Sequence, residues 1–411
     1  MPIIEERIRK AATPITVIDG QPVRPGEVLL DANATDDVRT LLKKAQGRRY
    51  YSDDPADWRR AFAPSVSIGD ELQSTRLELW TGLLGDAPLE LVNDDNVPGI
   101  HYNSVYFGTG AWDFYHGGPG GRPAIAPRRD RLPSGRGEGR ADLAILDTGL
   151  PPGWQRHPAH LTAVRGIDAV QSPTDLLDEN KDARVDLQAG HGIFICGLVR
   201  QAAPDVGIEM YRVLSSTGEG DEATIIATLN NVRGSSARVV SLSFGGFPTN
   251  GVEPPLAATI RELRKAGKVV VAAAGNAQED PEFRGRTMFP ASMPEVIAVG
   301  AYDSTEDEPT LWPHSNPADV YSVGVDLVST YVGWSDGRHV PTLDAWARWS
   351  GSSFATPLVA ARYAAEDGLR LADIGEEAAG DWPRKSAWPQ TMSSAESETP
   401  RRYDLKINLT A

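Results

Sequence analysis

The sequence predicts a three-layer α/β fold with a mostly parallel sheet, preceded by a small N-terminal α+β domain. Three observations carry the prediction. From residue 141 onward, strand-like apolar runs alternate with segments of helical period, the pattern of a parallel sheet covered by helices on both faces. Residues 117–140 read GGPGGRPAIAPRRDRLPSGRGEGR, a Gly- and Pro-dominated stretch with the composition of a linker. Ahead of it, residues 1–116 hold only scattered elements and no catalytic signature.

Taken in order, Gly26–Asp31 (GEVLLD) reads as a strand. Asp36–Gln46 (DDVRTLLKKAQ) has helical period with an acidic first turn, and Leu77–Leu83 alternates as a strand does. Residues 1–116 therefore read as a separate N-terminal domain, joined through 117–140 to a larger domain over 141–375. In that domain ADLAILDTG is a buried strand ending in a turn, and Ile193–Val199 is a buried helix following a glycine-flanked histidine. Glu222–Val232 and Leu256–Lys265 are helical, and Ala237–Phe244, Lys268–Ala274 and Met293–Ala301 are strands. From Phe354 the chain is apolar, Ala-rich and helical. Residues 376–411, rich in Glu, Ser, Pro and Trp, form a peripheral tail.

Bulk properties exclude some classes. Forty per cent apolar and 24% charged residues suit a globular domain. A formal net charge of −15 argues against a nucleic-acid partner, which needs a basic face. The single cysteine, Cys196, forms no intrachain disulfide and suits a reducing compartment, or a fold held by core packing alone. The first ten residues, MPIIEERIRK, put charges where a secretory signal needs an apolar run. Stretches such as Val269–Ala274 fall far short of the roughly 20 residues that span a bilayer. The expectation is a cytoplasmic protein with no membrane partner.

Four side chains stand out. Asp147 ends a buried strand, where a carboxylate needs a partner such as a histidine N–H. His191 is the one histidine of seven with glycine on both sides, which lets backbone or substrate approach its ring. Ser353 begins a helix, where unpaired N–H groups and the dipole favour a neighbouring oxyanion. Pro357, inside that helix, removes a backbone donor. Asn276 follows the small-residue strand VVVAAAG and places a carboxamide at its rim. Each is commonplace alone. Together, in the order Asp, His, Asn, Ser, they match the chain order of a subtilisin triad, and no G-x-S-x-G elbow surrounds Ser353.

These motifs resemble those of the subtilase family. LDTGL with Asp147, GHG at Gly190–Gly192, AAAGN ending at Asn276 and GSSFATP over Gly351–Pro357 are similar to its aspartate, histidine, oxyanion and serine motifs. His157-Pro158 and FPASMPEVIAVGA over Phe289–Ala301 are similar to further family segments. The chain departs from the family at Ile193 and Phe194, where Thr and His are usual.

The resemblance implies a subtilisin-like fold and a serine endopeptidase whose catalytic domain is 141–375, with residues 1–116 as an N-terminal accessory domain or pro-domain. Asp147, His191 and Ser353 would be its triad and Asn276 its oxyanion donor. A protein or peptide substrate would bind as an extended strand between Gly218, Glu219 and Gly220 on one side and Ser243, Phe244 and Gly245 on the other. The specificity pocket would be walled by Phe244, Gly245, Gly246, Ala273, Ala274 and Gly275, with Met288 near its floor. Those small, uncharged walls suit an apolar or middle-sized side chain. Regulated, limited proteolysis of intracellular targets is the expected role, and a catalytically impaired peptide-binding relative is the alternative. No cofactor is required. Calcium stays open: the loop Asp178–Asp186 is acidic enough to bind it, and a solvated loop is the stronger reading.

Overall fold

The computed structural model describes residues 11–18, 21–31, 33–49, 77–84, 87–93, 97, 99–108, 123–127, 132–133, 141–157, 159, 161–168, 171–248, 253–305, 308–334, 341–366, 377–378, 385 and 401–403. The N-terminal unit contains β1 (Thr16–Ile18), β2 (Gln21–Asp31), α1 (Asp36–Lys44), β3 (Arg48–Arg49), β4 (Leu77–Thr81), α2 (Ala87–Val92) and β5 (Ile100–Gly108). Its strands pair antiparallel in the order β5-β2-β4-β3, with β1 on β2. Strand alternation gives this sheet two apolar faces. Val28, Leu30 and Trp80 pack with Val38 and Leu42 of α1, spaced i, i+4 on one helical face. Leu29 and Leu79 point the other way and join the core of the larger unit. The N-terminal unit therefore closes its own core and also docks.

The larger unit begins with β6 (Ala124–Ala126), β7 (Leu143–Asp147) and β8 (Val164–Gly166). It continues through α3 (His191–Ala202), β9 (Ile208–Arg212), β10 (Glu219–Asp221), α4 (Glu222–Gly234), β11 (Val239–Leu242) and β12 (Phe244–Gly245). Next come α5 (Pro255–Lys265), β13 (Val269–Ala273), β14 (Ile297–Asp303), β15 (Thr310–Leu311) and β16 (Val320–Val323). The last elements are β17 (Leu327–Trp334), β18 (Pro341–Trp349), α6 (Ser352–Ala365), β19 (Glu377–Ala378) and β20 (Arg401–Tyr403). The central sheet runs β19-β20-β16-β14-β13-β11-β7-β9-β8, parallel except where β19 meets β20 and where β15 joins β14. β11 lies between β7 and β13, Val240 opposite both Ala144 and Val270. Its residues, VVSL, are all buried, which is why a run broken only by Ser241, not an alternating one, encodes it. Helices α3 and α6 pack together, as do α4 and α5. No helix among the described residues is long and apolar enough to cross a membrane.

Four details differ from the sequence reading. The run Ala237–Phe244 breaks at Ser243: β11 stays in the central sheet, while β12 leaves it to pair with β5. The strand expected from Met293 starts at Ile297, because Met293–Val296 closes a turn, Val296 N–H donating to Met293 O. Inside 117–140, Ala124–Ala126 is a strand on β18, satisfying backbone groups that an isolated tether would leave to water. In the 376–411 region, Arg401–Tyr403 adds a parallel strand beside β16, covering polar groups that β16 would otherwise expose.

Candidate active site

Strand β7 delivers Asp147 at its carboxyl end, and α3 starts on His191. The two glycines around His191 have separate reasons. Gly190 is left-handed, φ 79°, and a Cβ there would meet the Tyr331 ring at 2.7 Å. A Cβ on Gly192 would lie 2.2 Å from the Gly149 carbonyl oxygen, so the first turn of α3 rests directly on the turn after β7. This close approach brings His191 Nδ1 to 2.8 Å from Asp147 Oδ1, with both side chains fully buried. Asp147 Oδ1 also accepts the Thr148 N–H at 2.8 Å. Because Nδ1–H donates to the carboxylate, Nε2 is left with its lone pair. Nε2 makes no hydrogen bond among the described residues.

A buried residue missed by the sequence reading braces this pair. Asp175 Oδ2 accepts from Thr148 Oγ1 at 3.0 Å and from Gly190 N–H at 2.8 Å, tying the Asp147 turn to the start of α3. Burial lifts its carboxyl to about 6, opposed by those hydrogen bonds. Only a Pro-Thr-Asp triplet in a loop marks it in sequence.

Ser353 is the second residue of α6. Pro357 cannot donate to the carbonyl four residues back, that of Ser353. The Ser243 hydroxyl takes the vacant place, donating to Ser353 O at 3.0 Å. The proline thus links the helix start to the strand break at Ser243. The Ser353 hydroxyl turns toward Ser243 O at 3.5 Å, the outer limit of a hydrogen bond, and its bond to His191 Nε2 is not made in this arrangement. The neighbouring Phe354 ring nevertheless lies 5.0 Å from the His191 ring, and Trp349 meets it edge-on at 5.3 Å. Asn276 accepts the Ser352 N–H on Oδ1 at 2.9 Å. Its Nδ2 lies 3.3 Å from where a Cβ on Gly351 would stand. The carboxamide is therefore anchored through its oxygen on Ser352 N–H, with its nitrogen near Gly351.

The Ile193 and Phe194 departures fit this packing. Phe194 is buried against Trp349 and Phe354, at ring separations of 5.7 and 4.7 Å. The Ile193 and Phe194 carbonyls accept from Thr330 and Ser329 hydroxyls at 2.8 and 2.6 Å.

β5 of the same chain lies between Glu219–Asp221 of β10 on one side and Phe244–Gly245 of β12 on the other. Phe107 is opposite both Glu219 and Gly245, Tyr106 is opposite Gly220, and Gly108 is opposite Phe244. Gly108 N–H donates to Gly218 O at 2.8 Å. Of the expected pocket walls, Ala273, Ala274 and Gly275 lie at the end of β13, where Met288 N–H donates to Ala274 O at 2.9 Å. Met288 is more than a floor. A Cβ on Gly275 would be 2.4 Å from its sulfur, and one on Gly245 would be 3.0 Å from its Cε. Its side chain therefore reaches toward both walls. Gly246, the last expected wall residue, exchanges backbone hydrogen bonds of 2.9 Å with Phe289.

In the acidic loop, Asp178, Asp182 and Asp186 each offer an oxygen, all within 4.8 Å of one another. These are the hard donors calcium takes. Asp178 Oδ1 also accepts Asp182 N–H at 3.1 Å, and Asp186 Oδ2 accepts Glu179 N–H at 2.6 Å. Asp186 Oδ1 is buried without a partner.

A family model described as the subtilase family matches residues 141–366. A thermophilic serine proteinase of Bacillus sp. strain AK1 is 29% identical over 237 residues, 55% of this chain and 51% of that protein. Subtilisin E of Bacillus subtilis strain 168 is 27% identical over 227 residues, 53% of each. The chain thus spans about half the length of these relatives. The crystal structure of fervidolysin from Fervidobacterium pennivorans, a keratinolytic enzyme related to subtilisin, has a similar fold. Its TM-score is 0.57 at 15% identity, over 85% of this chain and 55% of that one.

Proposed function

Because this chain belongs to the subtilase family, we propose that it is a serine endopeptidase with Asp147, His191 and Ser353 as triad and Asn276 as oxyanion donor. The observation that carries this is the buried Asp147–His191 hydrogen bond, beside a cleft whose two edges hold an extended peptide strand. A rotation of the Ser353 hydroxyl from Ser243 O toward His191 Nε2 starts the reaction. Nε2 takes its proton as the oxygen attacks a peptide carbonyl. Asp147 holds the ring and stabilises the imidazolium. The Ser353 N–H and Asn276 Nδ2 receive the developing oxyanion. His191 then returns the proton to the leaving amine, and water hydrolyses the acyl-enzyme.

In this reading β5 lies where substrate must lie, so the N-terminal unit acts as an inhibitory pro-domain and proteolysis is limited until it leaves. Labelling of the full-length chain with a fluorophosphonate tests both claims. Labelling should be slow at first, rise after the Arg-rich 117–140 stretch is cut with trypsin, and be absent in Ser353→Ala. No labelling after cutting would leave only a peptide-binding protein, and equal labelling before and after would remove the inhibitory role.

Met288, reaching toward both pocket walls, restricts the residue before the cleaved bond to small side chains. Digestion of a peptide library should therefore return mainly Gly, Ala, Ser or Thr there. A dominance of aromatic residues would refute this reading of the pocket.

Calcium would be held by Asp178, Asp182 and Asp186, where it would neutralise crowded carboxylates and brace the loop leading to His191. No catalytic step passes through it. Millimolar calcium should raise Tm by several degrees, as binding to the folded state alone does, and Asp182→Asn should reduce that rise. An unchanged Tm would leave a solvated loop.

A further inference from the structure

On the strand in the cleft, the polar end of Tyr106 is met by a buried acid. Tyr106 is 2% exposed, and its ring lies over Gly246, where a Cβ would come within 3.2 Å of Cδ1. Phe289 closes the side at 5.9 Å between ring centroids. At the inner end, the Tyr106 hydroxyl donates to Glu222 Oε1 at 3.4 Å. Glu222 is fully buried at the start of α4, and the Leu256 N–H holds the same oxygen at 2.9 Å. Ser104 and His101 of β5 also act on this carboxyl, which burial raises to about 7. Burial also raises the Tyr106 phenol well above its ordinary value, so it stays a donor. A glycine that makes room for a ring, an aromatic wall and an acceptor at the far end together form a pocket for a phenol. An apolar subsite would need no acid there, and a buried carboxyl is costly without a polar partner.

We propose that Glu222 is a specificity-determining residue that selects tyrosine at the substrate position Tyr106 now fills. This rests on the reading that β5 occupies the substrate path. A substrate strand pairing with Gly220 and Gly245 as β5 does would put the same residue of its sequence into this pocket. A phenylalanine there would fill the pocket and leave the Glu222 oxygen without its hydroxyl. Sites built to bond a hydroxyl discriminate against the analogue lacking it.

The test uses the full-length chain carrying Tyr106→Ala, which weakens the hold of β5, and two fluorogenic peptides copying residues 102–112 with Tyr or Phe at the position of Tyr106. The Tyr peptide should have a kcat/KM about tenfold higher. Adding Glu222→Leu should bring the ratio to within twofold of unity, and Glu222→Gln, which keeps an acceptor, should restore most of it. A ratio near unity with Glu222 intact, or one unmoved by Glu222→Leu, would overturn the proposal. Fluorophosphonate labelling of each variant reports that the site is folded. The underlying reading has its own readout: Tyr106→Ala should speed hydrolysis of an unrelated peptide relative to wild type. If it does so while the ratio ignores Glu222, only the selection by Glu222 fails. If it does not, the placement of β5 in the substrate path fails.

Discussion

Replacing Ser353 with alanine should lower kcat for peptide hydrolysis by about 10⁶-fold, the size of effect known for the nucleophile of subtilisin. Nothing else beside the His191–Asp147 pair replaces this hydroxyl in the proposed chemistry. His191→Ala should cost nearly as much, and the double variant hardly more, because base and nucleophile act as one unit. The fold should survive. The Ser353 hydroxyl bond to Ser243 O is 3.5 Å long, so its loss removes little stability. The more important bond at this position is made by the Ser353 carbonyl, which still receives the Ser243 hydroxyl in the variant. The measurement is kcat on the trypsin-cut chain together with Tm. A variant retaining a rate within tenfold of wild type would remove Ser353 from the mechanism.

The architecture was readable where local pattern and environment agree. β13 is a continuous apolar run, and β11 one broken only by Ser241, because both faces of a central parallel strand are buried, and α3 could be placed because His191 is followed by eight residues without a polar side chain. The four site residues were readable as types at strand and helix ends. Their geometry was not, since it depends on contacts between segments distant in sequence: Gly192 against Gly149 O, or Pro357 leaving a carbonyl for Ser243. Asp175 escaped notice because a loop aspartate has no local signature, and its role exists only once Thr148 and Gly190 converge on it. The deepest omission was β5. Its sequence, IHYNSVYFG, reads as an ordinary strand, and nothing local states that its partners lie more than a hundred residues away on β10 and β12. Likewise the position of Met288 was legible but its approach to both Gly245 and Gly275 was not, because the direction of a flexible thioether is set by packing.

Asn276→Ala should lower kcat by about 10²–10³-fold with little change in KM, a magnitude taken over from the corresponding asparagine of subtilisin. The donor acts on charge that appears only as the carbonyl is attacked, so its loss falls on the transition state more than on bound substrate. Alanine also removes the Oδ1 anchor for Ser352 N–H, and a shift of the helix start could by itself slow the reaction. Asn276→Asp separates the two effects. It keeps an oxygen for Ser352 N–H, so the start of α6 stays in place, but puts an acceptor where the oxyanion needs a donor. If Asn276 works through Nδ2, the aspartate variant should be at least as slow as the alanine variant, with a Tm nearer wild type. If it works only by anchoring Ser352, the aspartate variant should recover most of the rate. The second result would leave the Ser353 N–H as the sole donor of the pair and require another group to complete the oxyanion site. The first would mean that the side chain fixed by its oxygen is used through its nitrogen, and that positioning and catalysis reside in the two ends of one carboxamide.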